Sequence, residues 1–139
     1  MNAYMDQYKN NSVMTASKEQ LLIMLYDGAI RFVRQARFAI EEDRLADKAK
    51  AISKAMAIIT EFSNTLDHKI GGEIAADLSR LYDFMVRELT AVNARNEIKR
   101  LEPVEKILLD LRGAFAEAIE INNRTAHAAG TSRQVAASL

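Results

Sequence analysis

Cysteine and tryptophan are absent from this chain of 139 residues, proline occurs 1 time, and glycine 5 times. Without cysteine there is no disulfide, no zinc–thiolate site and no thiol nucleophile, a composition that suits a reducing compartment. Scarcity of proline and glycine removes the residues that punctuate sheets and turns, so a chain 49% hydrophobic and 27% charged leans to helices. Excess charge of either sign is also missing. The 19 Lys and Arg balance 19 Asp and Glu, leaving no net field to gather nucleic acid or an anionic membrane. No run approaches the roughly 20 apolar residues that cross a bilayer. The opening MNAYMDQYKNNSVM has no basic stretch followed by an apolar one, so the expectation is a cytoplasmic protein without membrane insertion.

What the sequence does carry is helical periodicity in four separate segments. Ser17 followed three residues later by Gln20 forms a capping box just before an apolar pattern begins. The stripe Leu21, Leu25, Gly28, Phe32, Gln35 or Ala36, and Ala39 or Ile40 predicts a first helix over about 17–42. Ile52, Ala55 or Met56, Ile59, Phe62 and Leu66 predict a second over 45–67, with His68 at its end and Gly71-Gly72 as the break that follows. Ile74, Leu78, Leu81, Met85, Leu89 and Val92, broadened by Tyr82, predict a third over 73–93. Val104, Ile107 or Leu108, Leu111, Phe115, Ala118 and Ile119 predict a fourth over 98–123. Pro103 fits a first turn if regular helix begins near Glu102, and kinks the helix if it begins near Ile98. No single amphipathic helix buries its own face, so the expected fold is all-α: an antiparallel four-helix bundle over 17–124. A short apolar N-terminal strap or cap covers 1–16, and 125–139 is a flexible tail.

Chemistry is poorly represented. The sequence has no His-Glu-x-x-His, no Glu-x-x-His pair, no phosphate-cradling glycine loop and no serine elbow, so no catalytic residue, metal ligand or cofactor is expected. His68 resembles the surface histidine of phosphotransfer bundles faintly, which keeps a helical signalling bundle as the alternative function. Arg31, Arg34 and Arg37 recur at three-residue intervals and read first as a solvated face. More informative is the run Leu21-Leu22-Ile23-Met24-Leu25-Tyr26, six nonpolar or aromatic residues that cover a whole helix circumference. Leu25 belongs to the core. The surplus at Leu21, Leu22, Met24 and Tyr26 meets either the strap, with its Tyr8 and Val13, or a partner's amphipathic helix.

The stretch from Tyr8 to Phe32, containing Thr15-Ala16-Ser17 and Leu25-Tyr26-Asp27-Gly28, resembles the N-terminal signature of the flagellar secretion chaperone FliS family. The likeness continues through Leu66-Asp67, Leu81-Tyr82-Asp83-Phe84-Met85 and the region of Leu111-Arg112, over about residues 4–122. It implies an all-helical export chaperone that holds the C-terminal region of flagellin, prevents premature polymerisation and assists delivery to the flagellar type III export apparatus. By the same resemblance Tyr8 and its neighbours form an exchangeable plug, and Asp27 joins Tyr8, Val13, Leu21, Leu22, Met24 and Tyr26 as partner-binding candidates. Further implied partners are export-gate components and flagellar regulatory proteins, with a weak homodimer of the chain itself. Two positions depart from many relatives: Lys18 stands where they have proline, and Phe115 where they have tryptophan, which retains an apolar anchor without the indole donor.

Overall fold

Ser17 opens the first helix by the box its spacing predicts: its hydroxyl accepts from the Gln20 amide at 3.2 Å, and the Gln20 side chain accepts from the Ser17 amide at 3.1 Å. The computed structural model describes residues 17–138, and the side chains of residues 17–128. Four helices follow in order, α1 Lys18–Glu41, α2 Leu45–Asn64, α3 His68–Arg95 and α4 Leu101–Ser138, with a 3-10 turn at Ile98–Arg100 ahead of α4. Asp43 and Asn96 take left-handed backbone at φ 56° and 57° in the connections after α1 and α3. Such short connections force antiparallel neighbours.

Three boundaries differ from the periodicity. α2 stops at Asn64 because the Asp67 side chain caps the next helix, accepting from the Lys69 and Ile70 amides at 3.0 and 3.1 Å. His68 is therefore the first residue of α3 and not the end of α2. The glycine pair does break the helix where the sequence puts an interruption: Gly72 has φ 50° and ψ −122°, a kink that sets the turn opened by His68 apart from the rest of α3. Beyond that break Ala75 turns inward, while Ile74, expected on the buried stripe, is 71% exposed. Lastly, α4 runs on past 123 to Ser138. Residues 125–138 hold no proline and include Ala126, Ala128, Ala129, Ala136 and Ala137, which favour helix whether or not the helix packs. A weak apolar pattern withholds burial, not helicity, and all side chains from Glu120 to Ala128 are exposed. Pro103 falls at the third residue of α4, where its missing amide has no intrahelical partner to lose.

α1 packs between α2 and α4, and α3 closes the ring against the same two helices. Cross-links fix the direction: Arg34 of α1 meets Glu105 of α4, Asp27 meets Arg112, and Tyr26 meets Phe115, so α4 numbers rise as α1 numbers fall. The core comprises Leu25, Tyr26, Phe32 and Val33 of α1, Ile52, Ile59 and Phe62 of α2, Tyr82, Met85 and Leu89 of α3, and Leu101, Val104 and Leu108 of α4. Lys48, which the stripe of α2 leaves on the polar face, is only 6% exposed. Its Nζ donates to the Asn93 carbonyl at 2.9 Å and to Asn96 Oδ1 at 2.6 Å, placing a cation on the carbonyl end of α3.

Candidate functional site

The apolar run that opens α1 divides among three surroundings. Leu25 and Tyr26 are core residues, and Leu21 and Leu22 are half-buried against the core. Ile23 and Met24 turn toward α4. Tyr26 is thus corrected from partner anchor to central core residue, with 0% exposure. Its ring stacks on Phe62 with centroids 4.2 Å apart and on Phe115 at 5.6 Å, and its hydroxyl shares a 2.8 Å hydrogen bond with that of Tyr82. One side chain therefore touches all three other helices. Burial, and then the bond to Tyr82, push the Tyr26 phenol well above its ordinary value. Burial also raises Tyr82, against the lowering effect of the bond from Tyr26.

Along the opening turns of α1 lies a groove of about 770 Å³ shared with the middle of α4. Ile23 and Met24 form its α1 wall, and Ala116 and Ile119 face them from α4. Met24 is 38% exposed, a flexible thioether able to adapt to varied apolar surfaces. Glu19 and Gln20 rim the groove from α1, while Glu120, Asn123, Arg124 and His127 rim it from α4. Glu120 and Arg124 pair at 2.8 Å along the helix. The α4 residues were not singled out in the sequence as a site. Their signal is the spacing 116, 119, 120, 123, 124 and 127, one face of a helix that continues past the apolar core.

Asp27 does not line this groove. It is exposed and bound to Arg112 of α4, accepting from Nε at 2.9 Å and from Nη2 at 3.4 Å. Arg34 and Arg37, read first as solvated, both grip Glu105 at 2.6 Å. Burial raises the Glu105 carboxyl, but the two guanidinium bonds outweigh it and hold the group below the usual carboxylate range. Tyr8 and Val13 lie outside the described residues. His68 is exposed at the start of α3, and among the described residues nothing bonds to its side chain. Among the described residues no cluster of acidic or imidazole groups is placed to hold a metal ion, and no helix is long and apolar enough to cross a membrane.

The sequence and fold have known counterparts. The family described as flagellar protein FliS matches residues 1–122. The flagellar secretion chaperone FliS of Bacillus subtilis (strain 168) is 37% identical over 123 residues, 88% of this chain and 91% of its own length. That of Salmonella typhimurium (strain LT2) is 40% identical over 116 residues, 83% of this chain and 86% of its own. A solved structure described as a flagellar chaperone from bacteria shares the fold with a TM-score of 0.69 at 22% identity, across 85% of this chain and 96% of its own.

Proposed function

This chain belongs to the family of the flagellar protein FliS, and from that membership we propose that it is a cytoplasmic export chaperone for flagellin. It binds the C-terminal region of flagellin, keeps that region from polymerising early and assists its delivery to the flagellar type III export apparatus. The chain is not an enzyme: its relatives are secretion chaperones, and its function asks for a surface and not for reacting groups. The observation that carries the reading is the apolar groove between α1 and α4, where Met24 stays exposed beside Ile23, Ala116 and Ile119.

Such a groove acts by stoichiometric binding. A client segment that is disordered alone buries an apolar stripe there and folds as it does so, with ordering entropy opposing the gain. The N-terminal 16 residues join α1 at the rim of the same groove, since Glu19 and Gln20 line it. A chain spans at most about 3.5 Å per residue, so Val13 is tethered within about 14 Å of Ser17 and Tyr8 within about 31 Å. Both therefore have the reach to compete with a client as an exchangeable plug.

Binding of the full chain to flagellin, and to flagellin lacking its C-terminal segment, tests the proposal. Loss of binding with the truncated flagellin is expected, and equal binding of both refutes the client site. Met24→Glu places a charge in the groove and is expected to weaken binding, with circular dichroism to confirm that the variant folds.

A further inference from the structure

Farther along α1 a second groove of about 940 Å³ is walled by α1 and α2, with Leu109 and Arg112 contributed by α4. No residue lines both grooves. Its cations are Arg31, Arg34, Arg44, Lys50, Lys54 and Arg112, against the carboxylates Asp27 and Asp47. In a chain that balances 19 basic with 19 acidic residues, this segregation creates a local positive field that overall neutrality conceals.

Two of these cations are already engaged by carboxylates, Arg112 by Asp27 and Arg34 by Glu105. Arg44 and Lys50, both exposed, form no ion pair among the described residues. Arg31 and Lys54 stand over the same Phe32 ring, 5.4 and 5.5 Å from its centroid, so like charges from adjacent helices converge on one buried aromatic. Ile30, Ala39 and Ala51 give the groove an apolar floor, while Phe38 is 55% and Leu109 43% exposed. A fold that sets two large apolar side chains beside Arg44 and Lys50 offers both halves of an interface: burial and charge.

We propose that this groove docks an acidic amphipathic helix from a partner protein other than the flagellin client. The apolar stripe of that helix rests on Phe38 and Leu109, and its flanking Asp and Glu face Arg44 and Lys50. An oligonucleotide or an anionic bilayer satisfies the cations but has no use for the apolar floor, so a protein helix is the occupant with the better match. The site is built from residues that the client groove does not use, which allows both partners at once.

Fluorescence anisotropy of a labelled synthetic helical peptide, with glutamates flanking a Leu/Phe stripe, tests this with the full chain. The controls are the same peptide with lysines in place of glutamates, a single-stranded oligonucleotide and phosphatidylglycerol vesicles. The acidic peptide is expected to bind at least about tenfold more tightly than the lysine peptide, with affinity falling as salt rises. Arg44→Glu with Lys50→Glu is expected to weaken it by about tenfold or more and to gain affinity for the lysine peptide, with the neutral Arg44→Gln/Lys50→Gln variant in between. Circular dichroism confirms that both variants fold, and unchanged binding of flagellin by them separates this groove from the client site. Equal binding of the two peptides, no effect of either variant, or an oligonucleotide or vesicle interaction stronger than the acidic peptide's and lost in the same variants overturns the proposal.

Discussion

The hydroxyls of Tyr26 and Tyr82 meet 2.8 Å apart inside the bundle, contributed by α1 and α3, which stand diagonally across from each other. Each has the other as its hydrogen-bond partner, in a region where both rings are almost wholly removed from water. The pair therefore ties the diagonal of the bundle with a polar contact, while Phe62 and Phe115 pack the ring of Tyr26 from the other two helices.

Removing one hydroxyl strands the other. Tyr26→Phe or Tyr82→Phe alone is expected to destabilise the chain by about 1–3 kcal/mol, the range for leaving a buried polar group without its partner. The double variant is expected to lose less than the sum of the two, because no orphan remains. Urea unfolding of all four proteins provides the cycle. Strict additivity would show that each hydroxyl acts independently and remove the argument for a coupled pair.

Alkali acts on the same pair. Both phenols are raised in the folded chain, so their contribution is fully present below the unfolded tyrosine value of about 10. It is lost as pH rises above that value, because the unfolded chain releases protons that the folded core retains. Each tyrosine then removes up to about 1.4 kcal/mol per pH unit. Stability measured from pH 8 to 11 should fall steeply above about 10, and the Tyr26→Phe/Tyr82→Phe variant should flatten that limb. An equally steep fall in the double variant would place the alkaline sensitivity elsewhere.

Glu105 sets an acid limb by the opposite sign. Its carboxyl is held below the ordinary range by Arg34 and Arg37, so the stabilisation is present above the unfolded glutamate value of about 4.3 and disappears as pH falls through the lower folded value. Arg34 is 56% exposed, so solvent screens the pair and Glu105→Gln is expected to lose only about 1 kcal/mol near neutrality. The variant and the parent should converge in thermal stability at low pH and in high salt. A constant gap across pH would mean that Glu105 contributes packing and not charge.

Much of this architecture is legible in local patterns because helices announce themselves within a few turns. The box at Ser17 and Gln20 and the stripes through Ile52, Ile59, Met85, Leu89 and Val104 are short-range signals, and these residues are where the periodicity puts them. Tyr26 is misjudged for a long-range reason: a continuous apolar run does not say which members find Phe62, Tyr82 and Phe115. The burial of Lys48 is not readable locally, because a buried lysine becomes reasonable only once the carbonyl end of α3 is brought to its Nζ. The groove of α1 and α4 is not legible locally, since periodicity puts Ile119 on an apolar stripe without saying that it faces Ile23 and Met24 across a groove instead of the core. Asp67, expected to close the second helix, instead caps the third, and a single carboxylate oxygen moves the boundary by several residues.

The two glycines with the clearest structural assignments should respond oppositely to alanine. Gly28 lies within α1 on the buried side, and an added Cβ would stand 3.5 Å from Ile58 Cδ1, an ordinary van der Waals contact. Relief of the helical glycine penalty then leaves Gly28→Ala neutral or stabilising by up to about 1 kcal/mol. Gly72 meets nothing within 4 Å, yet its φ is 50° with ψ −122°, a backbone combination that a Cβ disfavours. Gly72→Ala is therefore expected to destabilise by about 1–3 kcal/mol through backbone strain alone, or to release the kink and straighten the start of α3. Urea midpoints decide the sign for each, and hydrogen exchange over residues 68–76 distinguishes strain from straightening. Loss of stability at Gly28 and indifference at Gly72 would reverse the assignment, making close helix packing, and not the bend in α3, the reason this chain keeps a glycine.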